Sequence, residues 1–128
     1  VPESVYYGLK FLHKRYNLPV IITENGTAQN DRVCSDGKVH DYYRIDHTAR
    51  YLLQMKRAVD EKIPVNGYYY WSLTDNFEWK FGFAKRFGLI FVDYETQKRI
   101  KKDSFYFYKK VIESNGKILL SPSEIFNR

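Results

Sequence analysis

Two short runs of strand type, and only two of the buried kind, constrain this chain most. Residues 20–23 are apolar and β-branched and are closed by Glu24-Asn25-Gly26, while residues 65–73 carry Tyr68-Tyr69-Tyr70-Trp71. Both follow segments of helical periodicity. Pro2 suits a first helical position, where its missing N–H is harmless, and Val5, Leu9 and Leu12 recur at helical spacing until Asn17 and Pro19 end the run. Asp41 is placed to cap a second helix with Ile45, Thr48, Ala49, Leu52, Leu53 and Val59 on its inner face, finished by Asp60-Glu61-Lys62 with Pro64 beyond. Residues 87–93 form a third extended run that turns at 94–97. Asp103 and Ser104 are expected to cap a last helix containing Phe105, Tyr108, Val111 and Ile112, with Gly116 as its stop.

The order is helix, strand, helix, strand, hairpin-like insert, helix. That is the βα alternation of a parallel sheet. Two parallel strands leave open edges and cannot bury both faces of a sheet. The opening helix also lacks the strand that should precede it. The 128 residues therefore read as a single partial domain of α/β class, most simply the end of a (β/α)8 barrel. Aromatic content is high, at 12 Tyr, 9 Phe and 2 Trp. Such side chains fill cores and also form platforms for the apolar faces of sugars, and composition does not choose between these uses.

Several function classes are set aside. The net charge is +6, with Lys98, Arg99, Lys101, Lys102, Lys109 and Lys110 clustered late. No nucleic-acid motif accompanies them, so the cluster reads as a solvated outer face and no nucleic-acid partner is expected. No apolar run approaches the roughly 18 residues of a membrane span, and no membrane partner is expected. Cys34 is the only cysteine, so an internal disulfide is impossible. It lies in a polar loop without an evident base and reads as a bystander thiol in a reducing, cytoplasmic setting. The chain opens Val1-Pro2 without a starter Met, and the true N-terminus is expected upstream. His13, His40 and His47 lack metal-ligand spacing and read as surface or capping residues, and no metal or cofactor is expected. Asn25-Gly26-Thr27 fits the glycosylation pattern by accident, since a glycan there would block a pocket mouth.

Chemistry concentrates at the strand ends. Glu24 closes an otherwise apolar strand, and in a parallel barrel that end faces the active site. An acidic side chain there costs burial energy unless it is paired or used. A salt-bridged or exposed turn Glu explains the position equally well. The long polar loop from 27 to about 40 is of a length often found at functional sites. Trp71 ends the second strand, with Glu78 and Trp79 in the loop beyond. An indole stacks on sugar C–H groups, and a carboxylate accepts two neighbouring hydroxyls. Glycoside hydrolysis uses two carboxylates across the scissile bond, and Glu24 and Glu78 are the two obvious acids here.

Thr23-Glu24-Asn25-Gly26, then the run from Gly67 through Trp71-Ser72-Leu73-Thr74-Asp75-Asn76-Phe77-Glu78-Trp79, then Arg86-Phe87-Gly88-Leu89, closely resemble glycoside hydrolase family 1, the β-glucosidase and β-galactosidase family. The likeness runs from about residue 2 to 116. It implies a (β/α)8 barrel of which this chain supplies helix 6, strand 7, helix 7, strand 8 and helix 8, the C-terminal quarter to third. It implies that Glu24 ends strand 7 and is the nucleophile of a retaining β-glycosidase. Trp71, ending strand 8, would be the sugar platform. Glu78 would bind the O4 and O6 hydroxyls rather than act as the acid/base. Trp79 would donate to a hydroxyl, and Phe87 would line the pocket. A cis Trp71–Ser72 peptide is implied as well.

The departures matter as much. The family's Asn-Glu-Pro segment, whose Glu is the acid/base, does not occur here, nor do the upstream Gln, His and Asn of the sugar subsite. A retaining mechanism needs its second carboxyl about 5–5.5 Å from the nucleophile. These residues alone are therefore expected to lack normal turnover, and the implied partners are a small β-glycoside and the remainder of the barrel. The competing readings are a non-catalytic sugar- or protein-binding relative of klotho type and an inactive truncated half-barrel. The 6-phospho-sugar branch is disfavoured, because its members usually replace Glu78 with a small residue and a carboxylate there would repel a phosphate dianion.

Overall fold

A left-handed residue ends the first helix, and the rest of the α/β unit follows from where each helix stops. The computed structural model describes residues 1–120. Helix α1 spans Glu3–Tyr16, with Pro2 at its N-cap. Asn17, at φ 52°, closes it by donating its N–H to the His13 carbonyl. Strand β1 is Val20–Asn25, helix α2 Tyr42–Asp60 and strand β2 Val65–Tyr70. Strands β3 (Ile90–Val92) and β4 (Arg99–Lys101) form an antiparallel hairpin. Helix α3 is Asp103–Glu113, and a short 3-10 turn covers Lys117–Leu120. Gly116 donates its N–H to Val111 and ends α3 as expected.

β1 and β2 pair in parallel, with Val20 opposite Val65 and Asn25 opposite Tyr70. α2 packs between the other two helices. Its Ile45, Ala49 and Leu52 meet Phe107 and Val111 of α3 with Ile118 and Leu119, while Ala58 meets Tyr6 and Leu9 of α1 and Ile63. Val20, Ile22 and Val65 of the strands pack against this second cluster. The opposite face of the sheet is open.

Several expectations need correction. β1 is not a buried strand, since Ile21 is 52% exposed, and Tyr69 of β2 is 62% exposed. Two strands carry helices on one face only, and nothing in the chain covers the other. Leu12 and Val59 are exposed rather than inward, because each falls at the rim of its helix's apolar stripe. β2 stops at Tyr70 instead of reaching residue 73, because the N–H of Ser72 turns to the Phe87 carbonyl of the hairpin arm. Asp41 does not cap α2, and Asp103 and Ser104 are the first two residues inside α3 rather than its N-cap, which is Lys102. Among the described residues no helix is long and apolar enough to cross a membrane.

The loop between β1 and α2 is tied to α3 through His40. Its Nδ1 lies 2.7 Å from Asp103 Oδ2 and its Nε2 3.1 Å from Asp36 Oδ2. The hydrogen bond to Asp103, then that to Asp36, raise the imidazole above its ordinary pKa. His47 is half-buried and stacked on Tyr51, and burial lowers its pKa.

Leu52→Ala is expected to lower the unfolding free energy by about 2–5 kcal/mol, because the site lies between α2, α3 and the 3-10 turn and cannot collapse. Urea unfolding with an unchanged slope checks this. The raised His40 pKa contributes stability that is complete below the ordinary imidazole value, about 6.5, and is lost as pH rises through the raised value. His47 has the opposite sign, losing stability as pH falls, so the two must be separated by difference. Thermal melts of His40→Gln are expected to fall below wild type in mildly acidic buffer, with the gap narrowing as pH rises. A gap that ignores pH rules this out.

Candidate active site

The C-terminal ends of β1 and β2 lie side by side, and their backbone fixes the candidate residues. The Trp71 N–H donates to the Asn25 carbonyl at 3.0 Å, and the Tyr68 hydroxyl donates to Asn25 Oδ1 at 2.8 Å. Asn25 is thus held in the ladder by both backbone and side chain, which agrees with reading its glycosylation pattern as accidental. Gly26 follows, and a Cβ there would stand 1.8 Å from the Trp71 carbonyl oxygen. Only glycine lets β1 leave its strand this close to Trp71. The segment holding Glu24 is therefore locked beside Trp71.

The Trp71–Ser72 peptide is cis. Beyond it, residues 72–75 zip against 87–90: Ser72 N–H to Phe87 O at 3.3 Å, Leu89 N–H to Ser72 O at 3.0 Å, and Asp75 N–H to Ile90 O at 3.0 Å. A Cβ on Gly88 would lie 2.2 Å from the Asp75 nitrogen, so a side chain is excluded there. This zip brings Phe87, half-buried, under the end of β2, where the Tyr70 hydroxyl also donates to its carbonyl at 3.3 Å. Burial, with Asp41 nearby and against Arg44, pushes the Tyr70 phenol up to about 12, and burial raises Tyr68 too. Both hydroxyls stay protonated donors at neutral pH.

Trp71 and Glu78 meet directly, with the indole Nε1–H donating to Glu78 Oε1 at 3.1 Å. The Glu78 backbone is clamped by Gly82, whose carbonyl accepts the Glu78 N–H at 2.8 Å. Glu24 is exposed, and among the described residues its carboxylate has no hydrogen-bond or salt-bridge partner. Trp79 is 96% exposed and its indole is likewise unengaged. The structure thus joins Trp71 to Glu78, sets Glu24's strand end beside them, and leaves Trp79 facing outward. No group of His, Cys, Asp and Glu among the described residues suits a metal ion.

Beneath these loops lies a charged cluster that sequence reasoning missed. Arg44 pairs with Asp41 and, at 2.7 Å, with Asp31. Lys102 pairs with Asp31 at 2.5 Å and Asp75 at 2.8 Å. Arg86 pairs with Asp75 at 2.7 Å. Burial pulls Lys102 below its ordinary pKa, helped by Arg44 and opposed by Asp31 and Asp75. For Arg44 burial acts downward too, but Asp31, Tyr70 and Asp41 outweigh it and hold the guanidinium raised.

Lys102 is therefore not part of a solvated basic face, because its side chain is fully enclosed. Asp41, expected to cap α2, instead caps α3 from a distance, accepting the Ser104 N–H at 2.8 Å and its hydroxyl at 2.5 Å. No local spacing announces these partners, which lie 13 to 71 residues apart in all but the Asp41–Arg44 and Asp75–Arg86 pairs. The one hint was Asp75, an acid just past a strand end.

A family model described as glycosyl hydrolase family 1 matches residues 1–117. β-Glucosidase A of Thermotoga maritima is 52% identical over 117 residues, covering 91% of this chain and 26% of that protein. A bifunctional β-D-glucosidase/β-D-fucosidase of Bifidobacterium breve is 49% identical over 120 residues, covering 90% and 26%. An aryl-phospho-β-D-glucosidase of Bacillus subtilis is 42% identical over 123 residues, covering 92% and 26%. The solved Thermotoga maritima β-glucosidase in complex with deoxynojirimycin superimposes at a TM-score of 0.89 with 51% identity, covering 91% of this chain and 27% of that one. The chain spans about a quarter of the length of the curated relatives it matches. The chain belongs to glycosyl hydrolase family 1.

Proposed function

We propose that these residues serve a retaining β-glycosidase that removes terminal β-D-glycosyl groups, with Glu24 as its nucleophile. The observation that carries this is Glu24's unpartnered carboxylate at a strand end locked beside the Trp71–Glu78 pair. In this reading a Glu24 oxygen attacks the anomeric carbon as its bond to the aglycone oxygen breaks. A glycosyl ester forms, the leaving oxygen takes a proton from a second carboxylic acid, and water then cleaves the ester. The chain supplies helix 6 to helix 8 of the barrel. The second acid lies in the remaining three quarters, and the isolated chain turns over no substrate at a normal rate.

Glu78 is assigned to sugar hydroxyls rather than to proton transfer. It already accepts the Trp71 indole N–H, and a carboxylate so engaged is suited to accept further hydrogen bonds. Trp71 offers its ring as the platform, Trp79 its free N–H, and Phe87 a wall. The β-glucosidase names of the relatives support a glucoside. A relative that acts on phosphorylated glucosides is also similar, but Glu78's charge weighs against a phosphate in this pocket.

The test is a chimera in which the matching segment of Thermotoga maritima β-glucosidase A is replaced by residues 1–117 of this chain. It is expected to hydrolyse an aryl β-glucoside and to prefer it over the 6-phosphate. Glu24→Gly in the chimera is expected to lower kcat by about 10⁴-fold, in line with removal of a covalent nucleophile. Azide should restore part of the rate and yield the α-glycosyl azide. Full activity without azide sinks the assignment. Glu78→Gln should cost about 10- to 100-fold in kcat/KM, the worth of one charge-assisted hydrogen bond. Loss of the leaving-group proton, seen as damage confined to poor leaving groups, would make Glu78 the acid instead.

A further inference from the structure

We propose that Lys102 is a positioning residue of this site, its ammonium setting the loop that follows Glu24 against the loop that carries Trp71 and Glu78. The inference rests on the functional reading above for its meaning, but its geometry is independent of it. Asp31 lies in the loop leaving β1 and Asp75 in the loop leaving β2, between Trp71 and Glu78. Each of these carboxylates already has an arginine, Asp31 at Arg44 and Asp75 at Arg86. Neither needs Lys102 merely to be neutralised. Among the described residues Lys102 is the one cation bonded to both, at 2.5 Å and 2.8 Å.

The lysine is itself held rigidly. Its side chain is fully enclosed, it stands at the N-cap of α3, and its backbone N–H donates to Leu89 at 3.0 Å. Leu89 belongs to the same zip that sets residues 72–75. The ammonium is therefore a fixed post with one loop on each side. A single backbone bridge, from Gln29 N–H to Arg86 O at 3.0 Å, runs parallel to it. That bridge ties the first loop to the hairpin arm and does not reach Asp75. A lysine used this way differs from a structural counter-ion: removing it should shift the Trp71–Glu78 pair even when charge balance is restored.

The chain offers a direct readout, because it contains only two tryptophans and hence two indole N–H signals. One, Trp71, is bonded to Glu78, and the other, Trp79, is solvent-exposed. In the 15N-labelled 128-residue chain, the Trp71 signal should follow the titration of Glu78. Two variants decide the matter. Lys102→Met keeps bulk and removes the ammonium. Lys102→Met with Asp31→Asn also restores neutrality.

The expected result is that both variants displace the Trp71 signal and blunt its response to pH, while Trp79 stays in place. The double variant should nevertheless regain thermal midpoint. In the chimera, the double variant should lose about 100-fold in kcat with a smaller change in KM, the cost of misplacing groups by about 1 Å. Return of the Trp71 signal to its wild-type position in the double variant overturns the proposal, as does an unmoved signal in Lys102→Met. Unfolding of both variants, or a wild-type spectrum without two dispersed indole signals, assigns Lys102 to the fold alone and overturns it equally. A chimera whose Glu24→Gly variant keeps its rate removes the catalytic reading and leaves the indole test standing.

Discussion

Three acids and three bases sealed under the strand ends hold the rest of the structure in register. Asp31, Asp41 and Asp75 face Arg44, Arg86 and Lys102, so the cluster is neutral as a set. Five of the six side chains are at most 4% exposed. At such burial each charge must be met, since removing one partner of a buried pair costs about 3–5 kcal/mol. The backbone completes the work: Gly88 N–H donates to Asp75 at 2.9 Å, and Arg44 and Arg86 donate to the carbonyls of Arg86 and Val92. By contrast, the exposed helix pairs Arg50–Asp46 and Lys56–Asp60 are worth well under about 1 kcal/mol each. The two kinds of ion pair look alike on a contact map and differ in what they fix. The exposed pairs decorate α2. The buried set joins α2, both strand-end loops, the hairpin and α3 into one unit.

Much of the fold was legible because its signals are local. Periodicity located all three helices, β-branched and aromatic runs located β1 and β2, and Asn17 and Gly116 marked helix ends through their left-handed backbones. The turn at 94–97 and the hairpin around it were also visible. What could not be read was anything set by distant charge. Lys102 sits in a basic stretch with Lys98, Arg99 and Lys101, and nothing in that spacing separates the one enclosed ammonium from its solvated neighbours. Asp41 precedes α2 and looks like its cap, yet its carboxylate serves α3, which begins 62 residues later. Burial of the strands was overestimated for a related reason: the apolar pattern reports the intended environment, whereas the exposed Ile21 and Tyr69 report what this chain alone provides.

The open surfaces continue that pattern. A groove of about 520 Å³ runs between β2 and α3, lined by Tyr69, Leu73, Phe105 and Ile112 among others. Tyr69, Leu73 and Ile112 are each more than 60% exposed. Single exposed apolar side chains are unremarkable on a surface, but a connected groove beside an unpaired parallel strand is not. Parallel strands are stable when both faces and both edges are covered. Here α1, α2 and α3 cover one face, and the chain matches about a quarter of its relatives' length. The apolar groove and the bare inner face are therefore what a quarter of a larger parallel assembly exposes.

The same incompleteness shapes the chemistry. Two-step glycoside hydrolysis divides labour between a carboxylate that must be ionised and free, and a carboxyl that must carry a proton and give it up. Glu24 meets the first requirement: it is exposed, unpartnered and fixed at a strand end. Glu78 does not suit the second. Its oxygen already accepts an indole N–H, and accepting hydrogen bonds favours the ionised form, whereas a general acid needs surroundings that favour the protonated one. The two acids of this chain therefore answer to two different tasks, attack and recognition, rather than to the two halves of one proton-transfer pair. The proton donor must come from backbone that closes over the bare face of β1 and β2. That the recognition half can be fully ordered without it follows from the buried charges below, which set Trp71 and Glu78 from the side of the sheet that is already covered.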